Sequence, residues 1–111
     1  MDDYGLQTLL DLDGIVFYME GGYWVKFEAR KVEPSRFIPH GIRYSLTLHD
    51  RNNTRIIGYD NAHDCLPKSR RYRAKRIVWD HIHKTNKVSP YAFDSAIQLL
   101  ADFWKTVNEY I

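Results

Sequence analysis

Two histidines separated by one residue are the sharpest chemical feature of this sequence. His81 and His83 lie in the run Asp-His-Ile-His at residues 80–83. In a β-strand, alternate side chains project to the same face, so the two imidazoles would lie about 7 Å apart. Such a pair can act as general base and general acid, or it can bind one metal ion. Asp80 would then point to the opposite face, where it caps or orients a neighbour.

Tyr59 and Asp60 form a second candidate group. They end an earlier strand-like run, and a strand end can present a hydroxyl or a carboxylate to a ligand. The alternative is a turn without a ligand, because Asp60 and Asn61 are common turn residues. Cys65 lacks the sequence context of a nucleophile. The sequence contains no Walker A, GxGxxG, GxSxG or HExxH motif, which disfavours nucleotide-binding enzymes and the common hydrolases. We therefore expect no cofactor and no resident metal.

A basic segment, residues 68–76, lies between these two groups. It holds six Lys or Arg residues and no acid in nine positions, whereas the rest of the chain has ten basic and fourteen acidic residues. Dense positive charge on an otherwise acidic body favours contact with nucleic-acid phosphates, and an aromatic ring within it can stack on a base. The alternative is a solvated stretch, or a patch that meets an acidic protein. The predicted nucleic-acid contacts are Lys68, Arg70, Arg71, Tyr72, Arg73, Lys75 and Arg76.

An antiparallel sheet is predicted to position these residues. Apolar alternation and flanking turn residues indicate strands at 15–20, 23–32, 42–49, 54–59 and 76–83, with Gly21 and Gly22 forming a tight hairpin between the first two. Residues 1–13 are predicted to be irregular or a short helical turn, and residues 84–90 a loop. In the second strand, the even-numbered residues Trp24, Lys26, Glu28 and Arg30 share one face, and Tyr23, Val25, Phe27 and Ala29 share the other.

The C-terminus is predicted to be the one clear helix. Asp94 or Ser95 can cap its start. The predicted class is α+β, an antiparallel sheet of four to five strands with the C-terminal helix packed on one face. The apolar stripe of the helix is predicted from its spacing to contain Ile97, Leu100, Ala101, Trp104, Val107 and Ile111.

Length and composition limit the class of protein. The 111 residues are 44% hydrophobic and 27% charged with a formal charge of +2, which fits one globular domain over 1–111 and excludes a disordered, collagen-like or coiled-coil chain. One cysteine permits no internal disulfide and favours the reducing cytoplasm. No apolar run is long enough for a membrane span. A domain this small buries only about two thirds of its unfolded surface, which is compatible with self-association.

Five motifs follow one another along the chain. They are the strand-like run 41–48, Gly-Tyr-Asp-Asn at 58–61, Asp-His-Ile-His at 80–83, Pro-Tyr-x-Phe at 90–93 and Leu-Leu-Ala-Asp-Phe-Trp at 99–104. Their order resembles the TumE family of prokaryotic toxins over almost the whole chain from Gly14. The resemblance implies a toxin encoded beside a helix-turn-helix antitoxin of the TumA type. Many members join the second and third motifs by a short Gly/Lys-containing link, whereas here the basic segment intervenes.

The first interpretation of the function is that the protein is a metal-independent endoribonuclease. His81 and His83 would be the acid–base pair, and Tyr59 and Asp60 would complete the site. The residues that would hold phosphate are Arg70, Arg71, Arg73 and Lys75 of the basic segment. The second interpretation is a non-enzymatic module that binds nucleic acid or protein. The third is a metal-dependent nuclease or phosphotransferase that uses His81, His83 and Asp60.

Overall fold

The described part of the chain forms a six-stranded antiparallel sheet whose strands follow one another in sequence order. This computed structural model describes residues 5–36, 38–61, 80–84 and 87–111. The class is α+β, as predicted, but the sheet has six strands rather than four to five. The elements are α1 (Leu6–Asp11), β1 (Val16–Tyr18), β2 (Trp24–Lys31), β3 (Ile42–His49), β4 (Arg55–Asp60), β5 (His81–Lys84), β6 (Lys87–Pro90) and α2 (Ala96–Tyr110).

The additional strand is β6, so the prediction of a loop over residues 84–90 is wrong. It pairs with β5 and places Val88 opposite His83 and Pro90 opposite His81. Four residues are too few to show a clear apolar alternation. The proline also argues against a strand, but at a sheet edge its missing N–H leaves no ladder partner unsatisfied.

The connection between β1 and β2 is longer than the predicted two-residue hairpin. Gly21 and Gly22 lie in a 3₁₀ turn, Glu20–Gly22, and both adopt a φ of 83°. The glycines therefore supply positive φ, as expected. The chain closes the turn with a hydrogen bond from the Met19 N–H to the carbonyl of Tyr23 at 2.7 Å.

One face of the sheet carries the core. The predicted alternation in β2 and β3 is confirmed, because alternate residues from Val25 to Ala29 and from Ile42 to Leu48 are buried on this face. Helix α2 covers it, and α1 packs between α2 and β2. The opposite face carries the polar residues of the same strands. The buried residues that β2, β3 and β4 contribute to the core are Val25, Phe27, Ala29, Ile42, Tyr44, Leu46, Leu48, Ile56, Ile57 and Tyr59.

Helix α2 is oriented differently from the prediction. Ser95 caps it by accepting a hydrogen bond from the Gln98 N–H. The predicted stripe is wrong in part, because Ile97, Ala101 and Ile111 are exposed. Trp104 is only partly buried. The helix is apolar on more than one side, so helical spacing fits two orientations. The buried stripe is Ala96, Leu99, Leu100, Phe103 and Val107.

Two tyrosine hydroxyl contacts hold α2 in this orientation. Tyr91 donates to Asp102 Oδ2 at 2.6 Å, and the hydroxyls of Tyr59 and Thr106 are hydrogen-bonded at 2.7 Å. Both contacts lie at the border between the buried and exposed sides of the helix.

Among the helices described here, none is long and apolar enough to cross a membrane.

Candidate functional site

The face of the sheet that points away from the helices, called the polar face below, carries the candidate site. Strand pairing aligns the residues of neighbouring strands in rows, and residues in one row share a face. The rows on this face run across β2, β3, β4 and β5. In order, they are Lys26, Thr47, Gly58 and His83; then Glu28, Ser45, Asp60 and His81; and finally Arg30 and Arg43.

The two histidines of β5 project from this face together. Their ring centroids are 6.4 Å apart and the rings are inclined by 50°. They differ in accessibility, since His81 is only 2% exposed whereas the His83 side chain is 13% exposed. A solvent-borne ligand therefore reaches His83 more readily than His81.

Asp60 contacts His83 diagonally across two strands. Asp60 is the partner of His81 in the ladder and Gly58 is the partner of His83. The carboxylate oxygens of Asp60 lie 3.2 and 3.4 Å from Nε2 of His83. A carboxylate that accepts from Nε2–H fixes the tautomer and orientation of the imidazole, which leaves Nδ1 available for proton transfer. The structure thus brings together His81, His83 and Asp60 of the predicted catalytic set.

Arg55 is a member of this grouping that sequence reasoning missed. Its Nη1 lies 4.0 Å from Oδ2 of Asp60, and its side chain is 47% exposed. The side chain passes over Gly58, with Cδ, Nε and Nη1 3.6–3.7 Å from the position that a Cβ would occupy. A glycine inside a strand is a signal of such close approach. The guanidinium therefore lies beside His83 and Asp60 on the polar face.

Tyr59 is not brought together with the histidines. It lies on the core face, is 3% exposed and is hydrogen-bonded to Thr106. Burial is the main cause that raises the pKa of its hydroxyl. Asn61 is also placed away from the polar face. Its side chain accepts from the Tyr44 N–H at 3.1 Å and donates to the Ile42 carbonyl at 2.7 Å, so it extends the pairing of β4 with β3.

Asp80 holds the start of the strand that carries the histidines. Its Oδ2 accepts from the Tyr44 hydroxyl at 2.6 Å and lies 2.9 Å from Nε2 of His40. Phe93 stacks on His40 with ring centroids 3.9 Å apart. These contacts involve the side of the sheet opposite His81, in agreement with the orienting role expected for Asp80.

One further histidine lies on the polar face, nearer the bulge between β3 and β4. His49 stacks on Trp24 at 3.9 Å with nearly parallel rings, and its Nε2 lies 2.9 Å from the Thr47 hydroxyl. Its Nδ1 is buried and has no hydrogen-bond partner among the described residues. Burial, followed by the nearby charges of Arg55 and Lys26, lowers the pKa of His49. Its neutral form is therefore favoured.

The basic segment, residues 68–76, and Cys65 lie outside the described residues. The nucleic-acid contacts predicted there are Lys68, Arg70, Arg71, Tyr72, Arg73, Lys75 and Arg76. Within the described ranges, no group of three or more His, Cys, Asp or Glu side chains is arranged to hold a metal ion.

Comparison with known protein families identifies the chain. The family model described as Toxin TumE matches residues 8–111. The match includes every strand of the sheet, helix α2 and the residues of the polar face. Comparisons with curated proteins and with solved structures gave no match. The matching family is one of toxins in toxin–antitoxin systems, which implies an antitoxin partner. The chain therefore belongs to the TumE family of toxins.

Proposed function

We propose that this toxin acts on RNA as a metal-independent endoribonuclease. The observation that carries the proposal is the contact of His83 with Asp60 beside the guanidinium of Arg55, with a second imidazole 6.4 Å away. A base, a group that orients it, a cation and a second proton-transfer group are the components that cleavage of an RNA phosphodiester needs.

The proposed reaction begins at Nδ1 of His83, which takes the proton from a ribose 2′-hydroxyl. The 2′-oxygen attacks phosphorus, the bond from phosphorus to the 5′-oxygen breaks, and His81 gives a proton to that oxygen. The products are a 2′,3′-cyclic phosphate and a 5′-hydroxyl. Asp60 orients His83 and stabilises the imidazolium that forms, and Arg55 stabilises the charge that develops on the phosphoryl oxygens.

The basic segment supports an RNA substrate independently of this geometry. It lies in the chain between Asp60, the last residue of β4, and His81, the first residue of β5. Its six cations therefore belong to the connection between the two strands that carry the proposed catalytic group. We propose that they bind RNA phosphates. For the antitoxin, we propose the helix-turn-helix type that the family resemblance implies.

A matched pair of histidine variants tests the enzyme proposal. We expect His83→Ala to lower RNA cleavage by about 10²-fold or more, because it removes a proton-transfer group. His49→Asn is the control, since His49 lies on the same face but outside the grouping. Cleavage by the unmodified toxin is expected to show a bell-shaped pH dependence and no response to EDTA. Circular dichroism and melting temperature report whether each variant remains folded.

The outcomes separate the competing functions. A folded His81→Ala/His83→Ala variant that cleaves RNA as the unmodified toxin does would exclude the proposed mechanism. Loss of cleavage in EDTA, restored by a divalent ion, would instead support the metal-dependent alternative.

One observation favours a second candidate function, a non-enzymatic binding module. His81 is 2% exposed, whereas a general acid must contact its substrate. As a binding module, the toxin would inhibit a nucleic acid or a protein by binding to it, without cleaving it. The unmodified toxin would then inhibit growth and bind RNA without producing a cyclic phosphate, and the double histidine variant would remain toxic.

A further inference from the structure

Two arginines face each other on the polar face. Arg30 of β2 and Arg43 of β3 are directly paired in the ladder. Like charges at directly opposite positions destabilise an antiparallel pair. Among the residues that the structure describes, neither guanidinium has a carboxylate within ion-pair distance. The repulsion between them is therefore not offset by an acid of the described protein.

The carboxylates nearest to this pair already have other partners. Asp13 accepts a hydrogen bond from the Ala29 N–H at 2.9 Å. Glu28 lies 3.3 Å from the ammonium group of Lys26, and Asp60 contacts His83. Each acid is thus drawn to a different donor, which leaves the two guanidinium groups available to an external anion.

The arginine pair is continuous with the candidate catalytic site. Arg30 and Arg43 line a surface pocket with a volume of about 500 Å³, together with Arg55 and Asp60. Ser45 pairs with Asp60, so Arg43, two residues earlier in β3, is a diagonal neighbour of Asp60 at about 7–8 Å between Cα atoms. On the polar face, the row of Arg30 and Arg43 is therefore the next one to the row that contains Asp60 and His81.

We propose that Arg30 and Arg43 form a subsite for a backbone phosphate of the RNA, adjacent to the phosphate that is cleaved. Planar guanidinium groups bind phosphate oxygens in a bidentate manner, and a bound phosphate would neutralise the repulsion between the two arginines. The identity of the ligand as RNA rests on the proposed function. Continuity with the His83 grouping favours a nucleic acid over an acidic segment of a protein partner.

Binding of a non-cleavable RNA tests this subsite. The probe is a labelled single-stranded oligonucleotide with 2′-O-methyl sugars, titrated over a range of salt concentrations. For Arg30→Gln/Arg43→Gln we expect affinity to fall about tenfold. The slope of log K against log salt should flatten by about 0.7, because the pair binds one phosphate and each lost single-strand phosphate contact contributes about 0.7.

The control is the variant Arg51→Gln/Lys105→Gln, which removes the same charge from the β3–β4 turn and from α2. We expect its slope to stay close to that of the unmodified toxin. The melting temperature of the Arg30→Gln/Arg43→Gln variant should equal or exceed that of the unmodified toxin, because a like-charge pair has been removed.

Two outcomes overturn the subsite. One is an affinity and a slope equal to those of the control. The other is unchanged RNA binding with loss of binding to polyglutamate, which would assign the pair to an acidic protein. Because the 2′-O-methyl probe has no attacking hydroxyl, the result does not depend on the histidines. Failure of the endoribonuclease proposal would appear separately, as undiminished cleavage by His83→Ala.

Discussion

Replacing Tyr44 by phenylalanine removes a single oxygen from the contact that anchors the start of β5. Tyr44 is 2% exposed, and its hydroxyl donates to Oδ2 of Asp80 at 2.6 Å. Burial, together with the neighbouring charge of Asp80, raises the pKa of Tyr44 far above its ordinary value. The hydroxyl therefore remains a donor at every pH at which the folded protein can be studied.

The expected cost follows from the charge of the acceptor. A hydrogen bond to a charged group contributes about 1.5–3 kcal/mol, whereas a neutral one contributes about 0.5–1.5 kcal/mol. We therefore expect Tyr44→Phe to lower the free energy of unfolding by about 2 kcal/mol. Tyr59→Phe is the matched control, because Tyr59 is equally buried on the same face but meets the neutral Thr106 hydroxyl. Its expected cost is about 1 kcal/mol.

Urea unfolding followed by tryptophan fluorescence measures both values. With a slope of about 1–3 kcal/mol per molar urea, Tyr44→Phe is expected to lower the midpoint by about 1 M. Asp80→Asn completes a double-mutant cycle, which isolates the coupling between the two side chains. Equal losses for Tyr44→Phe and Tyr59→Phe, or additivity of Tyr44→Phe with Asp80→Asn, would refute this reasoning.

Three further expectations concern the core, the pH dependence of stability and the basic segment. Phe103→Ala should cost about 3–5 kcal/mol in urea unfolding, and Trp104→Ala about half as much, because only Phe103 is fully buried; equal costs would contradict the helix orientation. The folded-state pKa of His49 is lowered, so the unfolded chain binds the proton more readily. Stability is therefore expected to fall as the pH drops below about 6.5. His49→Asn should reduce that fall, which urea midpoints at two pH values would measure. Neutralising three arginines of the basic segment should flatten the salt slope of RNA binding by about 2, and an unchanged slope would remove the segment from RNA contact. The three changes are Arg70→Gln, Arg71→Gln and Arg73→Gln.

The sequence predicts which face of β2 and of β3 is polar. Strand alternation alone is enough to predict that His81 and His83 share a face. It does not predict the partner of His83. Asp60 belongs to another strand, and pairing between strands depends on long-range packing that local alternation does not encode. Arg55 was missed for a related reason, because a bulge between Leu48 and His49 shifts the register of β3 against β4.

The helix shows a different limit. Its spacing predicted a core stripe through Ile97 and Trp104, whereas the buried side is turned toward Leu99 and Phe103. Several apolar residues fall on each side of α2, so periodicity alone cannot choose between them. The choice depends on hydroxyl contacts from Tyr59 in β4 and from Tyr91, which directly follows β6. No local pattern reveals these contacts.

The sequence-order arrangement of the strands also has a consequence for folding kinetics. Strands β1 to β4 are joined by connections that are short compared with residues 61–80, which join β4 to β5. Each doubling of such a connection adds about 0.6 kcal/mol of closure entropy, and pairing across the longest one is expected to be the slowest step. Asp60 precedes this longest connection and His83 follows it. The toxin would therefore gain the contact between Asp60 and His83 only in the final stage of folding, after the β1–β4 meander has formed.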